Sequence, residues 1–268
     1  MKKTGLHSRH PVPFFATALA LVFLYFPILV LVLNSFNASR YGSSWEGWSL
    51  RWYQTLFSGR SRDIWEALER SLIIGVMASL VSMVLGTTAA WALNHYRTKL
   101  QKSHFGLIYL PIVAPDILMG ISLAIFFVTL DVERNLGAIT VAHITFCISY
   151  VALAVLARLQ NFDGSIVDAA RDLGANRWQT ITRVVVPLLA PGILAGGLLA
   201  FTLSIDDFVI TFFVKGVGSD TLPLKIYSMT KHTKEMPVIN ALSTLLLTFT
   251  FASVWWVQRL GRSRSTDA

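Results

Sequence analysis

Three aspartates lie inside long apolar runs of this chain, where a charged side chain is costly. Asp116 lies in the third run, and Asp206 and Asp207 are adjacent in the fifth. Insertion scales put an aspartate at the centre of a membrane helix at roughly +2.5 to +3.5 kcal/mol. Acids that are kept despite this cost mark ion or substrate pathways, or pair with another polar group. The three carboxylates are therefore candidates for lining a path through the membrane or for a structural pair.

The two faces of the fifth run distinguish its aspartates, because neighbouring residues on a helix point about 100° apart. Small and polar residues share the face of Asp207, namely Ala200, Ser204 and Thr211. Mostly larger apolar residues share the face of Asp206, namely Leu199, Thr202, Val209 and Ile210. We therefore expect Asp207 to face a water-filled path and Asp206 to face a neighbouring helix or subunit. The alternative is that these acids cap or brace a helix bend, or pair with a basic residue.

Two other polar features lie within the apolar runs. Asp116 follows Pro111 and Pro115, so a helix break and an irregular stretch that lines a cavity are expected there. His143 lies in the fourth run, where a lone histidine is more often a hydrogen-bonded packing residue than a ligand or a proton relay. The proline break makes Asp116 the stronger candidate of the two.

Motifs for nucleotide binding and for hydrolytic catalysis are absent from the sequence. It contains no GxxxxGK[ST] phosphate loop, no HExxH zinc motif and no GxSxG nucleophile motif. A single cysteine, Cys147, leaves no disulfide framework and no CxxC metal site. We therefore expect a protein that is not an enzyme and that holds neither a cofactor nor a metal of its own.

A short polar segment between the fourth and fifth runs has the features of a docking helix. Ser165 has the spacing of a helix N-cap with an acid, Asp168, at the third position, and Gly174 is a helix stop. A helix of about two turns is too short to persist alone in water. Two small residues, Ala169 and Ala170, let another backbone approach closely. The segment is predicted to insert into a groove of a partner protein.

Composition and run length place the whole chain in a membrane. Of its 268 residues, 54% are hydrophobic and only 14% are charged. Six apolar runs are long enough to cross hydrocarbon, which takes about 20 residues. The predicted spans are 14–33, 71–93, 105–130, 136–156, 192–214 and 238–258. The fold is therefore predicted to be all-α, with six transmembrane helices in a single domain, 14–258. A signal peptide is the less favoured interpretation of the first run, which is longer than the usual hydrophobic core of such peptides.

Basic residues set the expected orientation. A net charge of +8 on a membrane protein indicates lysines and arginines in cytoplasmic loops rather than binding to nucleic acid. The connector 94–104 carries three basic residues and no acid, and the tail 259–268 is also basic. Both termini are therefore predicted to be cytoplasmic, together with the loop 157–183 and the first residues, 1–13. Of the two sizeable outer segments, 34–70 is rich in aromatic residues and is predicted to be an interfacial helix, a docking surface or a packed lid.

The docking segment resembles a known motif. Its acid, two alanines, glycine and proline match the EAA---G---------I-LP loop of permease subunits in bacterial ATP-binding-cassette importers, through Asp168, Ala169, Ala170, Gly174 and Pro187. The departures are Asp for Glu, Val184 for Ile and Val186 for Leu. The resemblance implies a type I importer permease fold and assigns these five motif residues to coupling with an ATPase.

Other stretches, including 114–117, 143–147, 201–207 and 222–229, resemble the second permease subunit of spermidine/putrescine importers. This implies an inner-membrane subunit that works by alternating access. Its implied partners are a homologous permease, a dimer of cytoplasmic ATPases that binds ATP and Mg²⁺, a periplasmic substrate-binding protein and a polyamine. The motif itself does not assign Asp116, Asp206 or Asp207 to substrate.

Three other interpretations remain. The first is a permease of the same class for another small solute. The second is an ion-coupled secondary carrier that uses the buried acids and His143 as a relay, and the third is an intramembrane aspartyl protease. A secondary carrier predicts internal repeats, which the sequence lacks. The protease lacks its family motifs.

Overall fold

Every regular element in the described part of the chain is a helix, as the apolar runs predict. The structure is a computed structural model that describes residues 11–40, 44–96, 99–160, 162–232 and 236–264. A 3-10 turn at Gly59–Ser61 and a π-helical turn at Ile181–Val185 accompany the α-helices. In chain order the α-helices are α1 (Pro11–Ser35), α2 (Arg51–Leu56), α3 (Arg62–His95), α4 (Gln101–Val113), α5 (Asp116–Thr129), α6 (Leu136–Leu159), α7 (Ser165–Asp172), α8 (Arg177–Thr180), α9 (Val186–Asp206), α10 (Val209–Val214), α11 (Leu222–His232) and α12 (Met236–Arg264).

Four helices of the described residues are long and apolar enough to cross a membrane. They are Pro13–Ser35, Gly59–His95, Leu136–Leu159 and Arg177–Asp206. The pair α4 and α5 makes a fifth crossing if it is counted as one bent span, and the apolar part of α12, Met236–Ala252, is shorter than the others. The all-α class is confirmed, whereas the prediction of six spans is met by four or five.

The third apolar run is broken at its second proline. Ala114, which precedes Pro115, is extended with ψ at 135°, and α4 and α5 meet at an angle of 108°. A proline disfavours the helical conformation in the residue before it, and this ends α4. Asp116 therefore becomes the first residue of α5. The sequence-based expectation of an irregular stretch at this point is confirmed.

The sequence predicts one continuous span up to residue 214 in the fifth apolar run, but the structure divides it into two helices. The helical segment that contains this run includes a π-helical turn, which ends two residues before Pro187, and α9 then ends at Asp206. Asp207 is extended with ψ at 125°, and a separate helix, α10, follows. The helical spacing used to assign faces therefore does not continue from Asp206 into α10.

One compact unit, residues 63–225, contains the polar sites. Within it α6 packs along α9 and α4, and α10 packs against α5 and α6. Two glycines let neighbouring helices approach Val151 of α6. A Cβ at Gly86 would lie 2.8 Å from the Val151 Cβ, and a Cβ at Gly196 would lie 2.9 Å from the Val151 Cα. Helix α6 is therefore the central element of this unit.

The other compact unit combines residues 1–62 with 226–268. Here α12 packs against α1 and α2. In the aromatic segment the indole N–H of Trp52, which is 2% exposed, donates to the Asn37 carbonyl at 2.7 Å. Trp45 and Trp48 are exposed and contact each other edge to face. This segment is thus folded around Trp52, while two of its indoles remain on the surface.

Candidate functional site

The three aspartates singled out by the sequence line one cavity of about 310 Å³. Asp116 reaches it from the start of α5, Asp206 from the end of α9, and Asp207 from the break before α10. The remaining lining residues are Pro111, Phe146, Tyr150, Thr202, Leu203, Phe208, Val209 and Ile210. Two helix breaks thus bring together carboxylates that are far apart in the sequence. Among the described residues, no group of three or more His, Cys, Asp or Glu side chains is placed to hold a metal ion.

Two of these carboxylates are exposed and lie at helix ends of opposite polarity. Asp116 occupies the first turn of α5, where the positive end of the helix dipole stabilises an acid. Asp206 is the last residue of α9, where its charge adds to the partial negative charge of the free carbonyls. An acid at a helix C-terminus does not stabilise that helix. The charge of Asp206 is therefore not offset by its own helix, and a cation is favoured beside it.

The Asp207 carboxylate is hydrogen-bonded to the first turn of α10. Its carboxylate accepts the backbone N–H of Thr211 at 2.8 Å, the Thr211 hydroxyl at 2.7 Å and the N–H of Ile210 at 3.3 Å. Its side chain is only 10% exposed. The carboxylate thus satisfies the free N–H groups at the start of α10, in the manner of a helix cap. Both aspartates line the cavity, but Asp206 is exposed whereas most of the Asp207 side chain is buried. That Asp207 rather than Asp206 faces the path stays a prediction.

A buried histidine completes the network behind Asp207. The Nδ1 of His143 lies 2.7 Å from the Ser204 hydroxyl, and its Nε2 lies 2.9 Å from the Thr211 hydroxyl and 3.3 Å from the Asp207 carboxylate. All donors and acceptors are matched if Ser204 donates to a neutral His143, which donates to Thr211, which donates to Asp207. The network therefore joins α6, α9 and α10, and the prediction of a hydrogen-bonded packing role for His143 is confirmed.

The small polar stripe of the fifth run faces α6 rather than water. Ser204 and Thr211 bond His143, and the Cys147 thiol lies 3.5 Å from the Ala200 carbonyl. Sequence reasoning therefore found the stripe but gave it the wrong neighbour. It also missed the aromatic lining of the cavity. One sign of it is that Tyr150 lies two helical turns after His143, and Phe208 directly follows Asp207.

The predicted docking segment forms a helix, α7, whose ends are well defined. Its N-cap is Gly164 and not Ser165, and the Asp163 carboxylate accepts the Ser165 N–H at 2.9 Å. This bond and one with the Ser165 side chain hold the pKa of Asp163 below its ordinary value. At the other end Gly174 has φ at +87°, and the N–H groups of Gly174 and Ala175 return to carbonyls of the last turn. This closing pattern is a Schellman motif, so the predicted glycine stop is confirmed.

Helix α7 has an inner and an outer face. Val167 is buried, and Arg171 follows it by one turn on the same side. Asp168 is 77% exposed and lies 3.9 Å from the Arg171 guanidinium, and Ala169 is also exposed. Ala170 is half-buried. The acid and one alanine of the motif are therefore available to a partner. Pro187 lies apart from them, in the first turn of α9.

A second short helix, α8, extends this surface and was not predicted. Asn176 and Gln179 form a reciprocal capping box at its start, with bonds of 2.8 and 3.0 Å. Its spacing was a readable signal in the sequence. Trp178 of this helix is largely exposed, as is Leu173 at the end of α7.

Comparison with known proteins identifies a family. A family model described as "Binding-protein-dependent transport system inner membrane component" matches residues 82–265. The spermidine/putrescine transport system permease protein PotC of Escherichia coli K12 is 37% identical over 243 residues, which cover 91% of each chain. The putrescine transport system permease protein PotI of the same organism is 41% identical over 236 residues, covering 85% of this chain and 83% of PotI.

Solved structures agree on the fold. A bacterial ABC transporter that imports the acidic polysaccharide alginate matches with a TM-score of 0.74 and 14% identity, covering 97% of this chain and 98% of that one. An inward-facing MetNI methionine ABC transporter matches with a TM-score of 0.55 and 17% identity, over 80% and 95% of the chains. The fold is that of an ABC importer permease. The chain belongs to the family of inner membrane components of binding-protein-dependent transport systems.

Proposed function

We propose that this chain is a membrane-spanning subunit of an ATP-driven importer of polyamines such as spermidine and putrescine. Two relatives above 35% identity are named as permeases for these compounds. The observation that carries the proposal is the cavity in which Asp116 and Asp206 are both exposed. A polyamine is a flexible polycation, and carboxylates and aromatic faces are the groups that replace water around an ammonium.

In this proposal the cavity contacts the substrate through two acids, and the third acid keeps the cavity in shape. Asp116 and Asp206 lie on different helices, so they are suited to successive ammonium groups of one chain. Tyr150, Phe146 and Phe208 offer aromatic faces. Asp207 and His143 hold α10 against α6 and so keep the break beside Asp206 open.

Energy enters through the exposed face of α7. We infer that Asp168 and Ala169 dock, with Ala170, in a groove of a cytoplasmic ATPase that binds Mg-ATP, and that Gly174 and Pro187 fix the ends of the loop. The basic residues of the connector 94–104 and of the tail support a cytoplasmic side for this loop and for both termini. A homologous permease completes the pathway, a periplasmic binding protein delivers the substrate, and closure of the ATPases rocks the two permeases in alternating access.

The test is uptake of labelled putrescine and spermidine by cells that express the variant with its partner subunits. Asp206→Asn and Asp116→Asn each remove one charge from the cavity, and we expect each to reduce uptake at least tenfold. Glu133→Gln changes an exposed acid outside the cavity and should leave uptake unchanged. Expression and copurification of the ATPase are measured in parallel. Wild-type uptake in both cavity variants would exclude the proposed substrate contacts.

A further inference from the structure

A second polar cavity, of about 700 Å³, lies beneath the inner face of α7. Arg171 reaches it from α7, Arg177 from α8, and His95 from the last turn of α3. Its lining, as far as the described residues form it, includes no aspartate or glutamate. The acids of α7, Asp168 and Asp172, are on the neighbouring face of that helix. The cavity therefore carries two guanidinium charges and an imidazole without a lining carboxylate.

The two arginines of this cavity make few ion pairs within the described residues. In the part of the chain that the structure describes, the Arg177 side chain has no ion pair, and Arg171 has only the 3.9 Å contact with the exposed Asp168. An ion pair of this kind between exposed groups contributes little. Trp91 stacks on His95 with parallel rings 5.6 Å apart and forms an aromatic wall. The cavity thus offers free donors for an anion next to an indole, a side chain that is enriched at membrane interfaces.

An apolar cleft of about 540 Å³ adjoins this basic cavity. It lies between α3 and α4, and Tyr96 lines both spaces. The other residues of the cleft are Ala89, Ala92, Leu93, His104, Leu107 and Ile108. Residues 71–115, which contain the second half of α3 and all of α4, include no acid. A basic cavity that continues into an apolar cleft matches a molecule with an anionic head and a hydrocarbon tail.

We propose that the basic cavity and the apolar cleft together bind one anionic phospholipid of the cytoplasmic leaflet. The phosphate lies between Arg171 and Arg177, and an acyl chain follows α3 along Ala89 and Ala92. Basic pockets between membrane helices on the cytoplasmic side recognise such headgroups. This inference rests on the cytoplasmic orientation in the proposed function. The lipid would tie α7 and α8 to the membrane end of α3, next to the surface that docks the ATPase.

Lipid retention by the purified transporter complex tests the headgroup part of the site. Native mass spectrometry counts phosphatidylglycerol bound after extraction from vesicles of phosphatidylglycerol and phosphatidylcholine. We expect one retained phosphatidylglycerol in the wild type and weaker binding by roughly thirty-fold in Arg171→Gln/Arg177→Gln. This follows from about 1 kcal/mol for each basic residue near an anionic surface. Arg183→Gln removes an exposed charge that lines neither space and should retain the lipid.

Variants of the cleft and competition by inorganic phosphate distinguish a bound lipid from a bound soluble phosphate. Ala92→Trp obstructs the apolar cleft without changing a residue that lines the basic cavity, and it should also release the lipid. Leu85→Trp changes an exposed residue of α3 outside the cleft and should not. If inorganic phosphate displaces the lipid and Ala92→Trp has no effect, the ligand is a soluble phosphate and the lipid proposal is wrong. Equal retention in all variants also overturns it.

Copurification of the ATPase is scored separately. Loss of the ATPase from the wild-type complex contradicts the proposed function. Retention of the ATPase together with unchanged lipid binding in Arg171→Gln/Arg177→Gln contradicts only the lipid site.

Discussion

The carboxylate cavity and the α7 segment use the same residue type in opposite ways. In the cavity, Asp207 is 10% exposed and is bonded to Thr211 and close to His143, residues on two different helices. On α7, Asp168 is 77% exposed and has one loose contact within its own helix. The first acid supports the fold, whereas the second is exposed, as the proposed docking role requires. An aspartate in this chain therefore acquires its role from its distant contacts rather than from its local sequence.

The largest expected difference between the two regions is in stability. Asp207→Leu removes the acceptor for two backbone N–H groups and a hydroxyl and leaves them buried. Each buried donor that loses its acceptor costs roughly 1 to 3 kcal/mol. We expect a large fall in the thermal unfolding temperature of the purified chain in detergent.

Asp168→Leu is the matched control, because it changes the same group on an exposed surface. It should shift the unfolding temperature by only a degree or two, while copurification of the ATPase is lost. A similar loss of stability in both variants would remove the contrast between the regions.

The next effect concerns the end of α7. Gly174 has φ at +87°, and a Cβ there would meet nothing within 4 Å. Gly174→Asp therefore causes no clash, and because aspartate is one of the residues that tolerate this conformation, the variant acts mainly through its added charge and side chain. We expect uptake and substrate-stimulated ATP hydrolysis to fall together, with little change in the unfolding temperature.

Gly174→Asn is the informative comparison, since asparagine and aspartate both tolerate this conformation and have nearly the same size, so the two variants differ in charge. Gly174→Asn should keep most of the coupling. Full coupling in Gly174→Asp would show that the end of α7 does not contact the ATPase.

The same contrast explains what the sequence could reveal. The helix at α7 ends at a glycine and the break before α5 occurs at a proline, so local chemistry was sufficient for both. The all-α class and the permease family were likewise predicted and are confirmed, and with them the assignment to a transport subunit rather than an enzyme.

The break after Asp206 carries no glycine or proline. It depends on hydrogen bonds between Asp207, Thr211 and His143, and His143 lies more than 60 residues earlier in the chain. The periodicity and spacing of residues in the sequence describe one helix at a time, so they could not show that α10 packs against α6. For the same reason the polar stripe was found but its neighbour was not.

The smallest expected effect is a pH dependence at the start of α7. The Ser165 N–H lowers the pKa of Asp163, so the ionised carboxylate is favoured in the folded segment. A lowered folded pKa means that this stabilisation is complete above the ordinary carboxyl pKa and is lost as the pH falls through the lowered value. Because Asp163 is fully exposed, solvent screens the effect, and α7 alone should respond.

Hydrogen exchange at the Ser165 amide, corrected for its intrinsic pH dependence, measures this response. It should show protection at neutral pH and less protection in acid. Asp163→Asn should make that protection independent of pH, and a wild-type pH dependence in this variant would assign the response to another group.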